Sequence, residues 1–163
     1  NFWDFVERMV RIIGKDYMNK IEEYGYVDFK MMKEAWSEYT LEDGTIVKTR
    51  AILFKVKKED EGYSFNEKSF AASFSPAELR GPKGSSRIQP NEIENILESI
   101  KKEDVDILIT KEHWNEYELS SGDKFSSKAV LVSASLTDRY DDIGDPIYAV
   151  QLQVLHKIIP KRK

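Results

Sequence analysis

Lys33-Glu34-Ala35-Trp36-Ser37-Glu38-Tyr39-Thr40-Leu41-Glu42-Asp43-Gly44 returns 78 residues later as Lys111-Glu112-His113-Trp114-Asn115-Glu116-Tyr117-Glu118-Leu119-Ser120-Ser121-Gly122. The shared pattern is K-E-x-W-x-E-Y-x-L-x-x-G. The chain has only three Trp, and two of them fall at this one offset, which argues against coincidence. Upstream, Val27-Asp28 matches Val105-Asp106. Downstream, Ala51/Ala129, Leu53/Leu131, Ala71/Ala149 and Pro82-Lys83/Pro160-Lys161 continue the match. Read without a gap, residues 27–85 recur as 105–163, the signature of an internal tandem duplication.

Each copy reads as a helix followed by antiparallel strands. In the first, Phe2, Phe5, Val6, Met9, Val10 and Ile13 recur at helical spacing, and Tyr17, Ile21 and Tyr24 resume the stripe after Gly14. Gly25 is a plausible C-terminal stop. In the second, Ile93, Ile96, Leu97 and Ile100 form the stripe, with Asn91 and Glu94 as an N-terminal cap. Trp36 to Leu41 reads as a strand, and Asp43-Gly44 as a hairpin turn whose central residues need positive φ; Ser121-Gly122 is its weaker counterpart. Thr45 to Lys57 and Lys124 to Ser135 are long strands. Both faces are apolar at Ala51-Ile52-Leu53-Phe54 and Ala129-Val130-Leu131-Val132, so these middles are expected to be buried on both sides. Third strands are expected near Ser69 to Phe74 and Ile147 to Val154, after the acidic connections Lys58 to Gly62 and Asp138 to Asp145. Val105 to Ile109 adds a short strand, while Phe29 to Met32 is ambiguous. Arg80 to Gln89, rich in Gly, Pro and Ser, reads as the linker.

A repeat of about 75 residues supplies only ~3–5 kcal/mol from a core of its own, and a lone three-stranded sheet leaves two open edges. The expected fold is therefore α+β. Tandem helix-plus-antiparallel-β-hairpin repeats, 1–87 and 88–163, pack as one pseudo-twofold, β-rich, barrel-like unit with helices outside.

Composition narrows the function. At 40% hydrophobic and 12% aromatic residues the chain can build a core. A net charge of −4 sets up no global field for nucleic acid or membrane. No apolar run approaches the roughly 18 residues of a membrane span, and the N-terminus lacks the basic region and cleavage site of a signal peptide. Asn1 stands where an initiator Met would be, as expected for a piece of a longer product. The absence of Cys removes thiolate, disulfide and cysteine-bound metal chemistry. With no N-x-[ST] site, a cytoplasmic protein is expected, and the Lys- and Glu-rich composition is thermophile-like.

The candidate binding residues are the repeated aromatics Trp36, Tyr39, Trp114 and Tyr117, together with the cations Lys83, Arg87, Lys161 and Arg162. On a strand, a Trp and a Tyr three apart point to opposite faces. One face belongs to the core, and an exposed pair would bind a peptide, base or sugar by stacking. The cations lie in the linker and tail, where a shared surface would contact phosphates. The repeated acids Glu34, Glu38, Glu112 and Glu116 fit cross-strand ion pairs better than general acid–base catalysis. The acidic run 138–145 lacks the EF-hand spacing, and Gly81 to Arg87 fails the phosphate-loop pattern. His113 and His156 stand outside the repeat's shared pattern. No cofactor and no metal are expected. The favoured reading is a non-enzymatic binding or interaction module whose partner is a protein, a second copy included, with no membrane role. Nucleic-acid binding through linker and tail is the alternative, and a metal-dependent hydrolase using the duplicated carboxylates is the second.

Overall fold

The computed structural model describes residues 1–14, 20–83 and 93–162. Two helices come first, α1 (Phe2–Gly14) and α2 (Lys20–Glu23), then strands β1 (Phe29–Lys33), β2 (Ser37–Leu41), β3 (Ile46–Lys58) and β4 (Tyr63–Phe74). A 3-10 turn at Ala77–Leu79 precedes α3 (Ile93–Glu98), β5 (Ile100–Lys102), β6 (Ile107–Lys111), β7 (Asn115–Leu119), β8 (Lys124–Tyr140) and β9 (Pro146–Ile159). The molecule is mostly antiparallel sheet. Among the described residues no helix is long and apolar enough to cross a membrane.

The strands form two sheets and no closed barrel. One sheet runs β4-β3-β2-β6; the other runs β1-β7-β8-β5, with β9 also on β8. The sheets pack face to face, β3 against β8 and β4 against β9. This corrects the barrel expectation. Closure needs a continuous ladder between the terminal strands of the two sheets, whereas here the sheets are joined by isolated backbone bonds, Val27 to Val56 and Val105 to Ala134, and by side chains.

Both sheets mix the halves of the chain. β1 pairs with β7, matching Phe29 to Leu119 and Lys33 to Glu116. β6 pairs with β2, matching Ile107 to Leu41 and Lys111 to Glu38. The hairpins keep one register: Ser37 faces Thr49 and Tyr39 faces Val47, while Asn115 faces Ser127 and Tyr117 faces Phe125. The turns behave alike too. Gly44 and Gly122 sit at φ +89° and +91°, where a side chain is strained.

Third strands depart from the ungapped alignment. Ala71 pairs with Thr49, whereas Ala149 pairs with Ser135, so the two alanines are not equivalent. Leu53 faces Glu67 and Leu131 faces Leu152, which sets the offset of the third strand at 85. The reason is hairpin length: β8 has 17 residues and β3 has 13. Asp138, Arg139 and Tyr140 thus belong to a strand, and the acidic connection begins at Asp141. Ile100 likewise lies in β5 instead of extending α3. Asn91, assigned as a cap, and Tyr17, assigned to the first stripe, lie outside the described residues.

The core has two centres. One gathers Tyr39, Leu41, Val47, Val105, Leu131, Ala134 and Tyr148; the other gathers Leu53, Val56, Tyr117, Leu119 and Phe125, with Phe65 and Phe29 packed on it. Phe65 and Phe125 stack at 3.8 Å between centroids. Two bonds tie the sheets through buried polar groups: Thr49 Oγ1 donates to the Ala129 carbonyl at 2.7 Å, and Asn115 Nδ2 to the Ala51 carbonyl at 2.8 Å. Left unmade, such groups would each cost about 1–3 kcal/mol.

Candidate partner-binding surface

Strand alternation splits each repeated Trp–Tyr pair. Tyr39 and Tyr117 point inward and are buried, at 1% and 2% exposure, so neither ring is open to a ligand. Each hydroxyl donates across the halves, Tyr39 to Glu112 at 2.7 Å and Tyr117 to Glu34 at 3.2 Å. Burial and then the Glu112 bond push the Tyr39 hydroxyl up to about 12. The same bond holds the Glu112 carboxyl below its usual range, against its own burial and with help from Lys128. Trp36 and Trp114 point outward and are partly exposed. The Arg50 guanidinium lies 5.5 Å from the Trp36 ring and pairs with Glu34. Lys128 and Lys157 lie 4.8 and 4.3 Å from the Trp114 ring, and Lys128 pairs with Glu112 at 3.2 Å. Their own cations therefore occupy the indole faces. Glu38 pairs with Lys48 at 3.5 Å, and Glu116 sits opposite Lys33 on the neighbouring strand.

Among the described residues, Lys83 does not meet Lys161 and Arg162. Gly81 donates its backbone N–H to the Gly144 carbonyl, just before β9, and Lys83 follows two residues later. Lys161 donates its backbone N–H to Asp123, just after β9. A strand of 14 residues separates these ends, which is roughly 45 Å at 3.3 Å per residue. Lys83, Lys161 and Arg162 are exposed, and Arg87 lies outside the described residues. The linker is docked at its start, where Arg80 pairs with the nearly buried Asp145 at 3.3 Å. In the acidic loop, Asp141 Oδ1 accepts the backbone N–H groups of Ile143 and Asp145. Between β4 and β9, Glu67 bonds His156. Burial raises the Glu67 carboxyl, and the His156 charge and Ser127 hydroxyl pull it partly back.

Apolar surface also stays open. A groove of about 270 Å³ lies between the α2 end of the chain and β3, lined by Ile21, Tyr24, Tyr26, Phe29, Phe54 and Val56, with Lys55 and Asp28 at its margin. Phe54 and Val132 were expected to be buried with their strands; Ala51, Leu53, Ala129 and Leu131 are, but Phe54 and Val132 are half exposed, so only one face of each strand middle is covered. The amphipathic helix α1 turns Phe2, Trp3, Phe5 and Val10 to solvent. β1 and β6 end their sheets, exposing Met31 and Met32 on one and Leu108 and Ile109 on the other. These residues were missed as a site because an apolar stripe reads as core by default. The available signal was the surplus of such residues, more than two short sheets can cover.

No family model, no curated protein and no solved structure shows significant similarity to the chain.

Proposed function

We propose that the chain is a non-enzymatic interaction module built from a duplicated β unit, its halves related by a pseudo-twofold axis, with a protein as its partner and the cytoplasm as its setting. Support for the duplication comes from recurrence. The β1–β7 and β6–β2 ladders, the two hairpins, the two Tyr–Glu bonds and the two Trp–cation contacts repeat at an offset of 78. In the third strands, Tyr63 bonds Ser121 and Asp123 while Tyr148 bonds Asp43, each Tyr capping the turn of the other half. This exchange gives each half contacts that it cannot make alone.

The observation that carries the interaction reading is that one molecule leaves both an apolar groove and an apolar helix stripe uncovered. Contiguous exposed apolar surface of this kind marks binding sites in soluble domains. By contrast, three of the repeated carboxylates, Glu34, Glu38 and Glu112, are engaged with Tyr, Lys and Arg partners, a structural use. The test is site-specific photocrosslinking in cells that make the natural protein, with the photoreactive residue at positions 5, 31 or 54 and, as a control, at Glu61 in the β3–β4 turn. Protein adducts at the three apolar positions and none at 61 are expected. Adducts destroyed by nuclease, or no adducts, would overturn the proposal.

A further inference from the structure

The groove and the α1 stripe belong to one chain, and their chemistry matches. On a helical wheel Phe2, Phe5, Val6, Met9 and Val10 share one arc, with Trp3 at its margin, and Glu7 and Arg8 flank that arc from opposite sides. The groove is walled by Tyr24, Tyr26, Phe29 and Phe54 and carries one base, Lys55, and one acid, Asp28. A helix of 13 residues is marginal in water on its own, so α1 needs a cover. Its own body does not supply one: Phe2, Trp3 and Phe5 are 69%, 73% and 58% exposed.

We infer that α1 docks into the groove of a second copy of this chain, and that copy's α1 docks back, giving a reciprocal homodimer. The inference rests on the interaction-module reading and names its partner. Area decides between this arrangement and simple helix-on-helix pairing. An aromatic side chain can bury ~150–250 Å², so the exposed parts of these three offer roughly 300–500 Å² per copy. A stable specific interface takes ~800 Å² per partner. Stripe against stripe falls short. Reciprocal docking uses a stripe and a groove on each copy, about doubles the area and reaches the requirement. Exchange of an identical element is also a closed, twofold arrangement that stops at two copies.

Sedimentation equilibrium of the full chain over about 1–200 µM tests this, with Phe5→Glu on the stripe and Phe54→Glu on the groove. Both side chains are exposed in the protomer, so both variants should keep the β-sheet circular dichroism of the parent. The expected result is a dimer whose Kd rises at least about tenfold in each variant. An equimolar mixture of the two should associate more tightly than either alone, because one intact stripe then meets one intact groove. Val10→Glu and Tyr24→Ser repeat the test on other exposed residues should a first variant misfold. A parent that stays monomeric throughout overturns the inference, while crosslinks to a different protein would leave the interaction reading standing. A dimer indifferent to Phe54→Glu overturns it in favour of helix-on-helix pairing. A monomer that binds neutral phospholipid vesicles through α1 overturns it in favour of a membrane surface.

Discussion

The two core centres begin alike and end differently. Around Tyr39, the backbone of Val105 bonds Ala134, and the chain before it lies along β8 as β5, with Ile100 opposite Thr137 and Lys102 opposite Leu136. Around Tyr117, Val27 bonds Val56 in the same way, but the chain before it makes one bridge, Tyr26 to Lys57, and then leaves at Gly25, φ +92°. One end is sealed by a strand; the other keeps the groove. The inward and flanking positions differ as well. Leu152, packed on the Tyr39 centre, stands where Glu67 stands on the Tyr117 side, the exposed Ala71 stands where His156 stands, and Val47 stands where Phe125 stands. Shared positions build the scaffold, and the departures supply an open site and a polar junction.

The largest expected effect bears on the aromatic side of this comparison. Phe125→Ala removes a fully buried ring from the stack with Phe65 and should cost about 3–5 kcal/mol. Val47→Ala at the matching position should cost about 1.5–3 kcal/mol at most. Urea melts measure both, and equal losses would break the claim that the second centre depends on its ring.

Transplanting the other side's pair comes next. Glu67→Leu with His156→Ala replaces the bonded Glu67–His156 pair between the sheets by the residues that stand at the matching positions, Leu152 and Ala71. Such exchanges gain up to about 1–4 kcal/mol, and the exposure of His156 puts the gain here near the lower figure. A destabilised double variant would show that the two sites are not interchangeable.

The Tyr39–Glu112 bond sharpens the comparison through pH. The folded-state carboxyl of Glu112 titrates below its unfolded value. Its contribution is therefore present above the unfolded pKa, about 4.3, and is lost as pH falls through the folded value. Tyr39→Phe should cost about 0.5–1.5 kcal/mol at pH 7, with solvent screening favouring the low end, and should cost less at pH 3. Guanidinium melts at the two pH values check it; an unchanged cost would remove the carboxylate from the account.

The smallest effect belongs to the outer face. Glu38→Gln breaks the Lys48 pair, in which both side chains are more than a third exposed, and a change below about 0.5 kcal/mol is expected. A loss near 2 kcal/mol in a thermal melt would mean that this surface ladder does more than stay solvated.

Much of the hairpin was legible in the sequence. Period-two alternation put Tyr and Trp on opposite faces, and the Gly at each turn marked a positive φ. The third strand was not legible. Its two versions share little beyond Tyr63 and Tyr148, so an ungapped count aligned Ala71 with Ala149 and Pro82-Lys83 with Pro160-Lys161, while the longer β8–β9 hairpin displaces the true partners. Which aromatics stay exposed was not legible for a related reason: alternation says which residues share a face, not which face is covered.

By itself the sequence determined the local geometry: strand periodicity and turn positions. These depend on neighbours a few residues apart, and chain stereochemistry sets them. Only the tertiary structure decided that β1 crosses to β7 and β6 to β2, that the sheets stack without closing, and that β5 seals one end while the other stays open. Those outcomes depend on which edges and faces are free once the strands exist. That competition is among pairings 66 to 90 residues apart, and loop-closure entropy distinguishes such separations only weakly; side-chain fit across the finished sheets settles it.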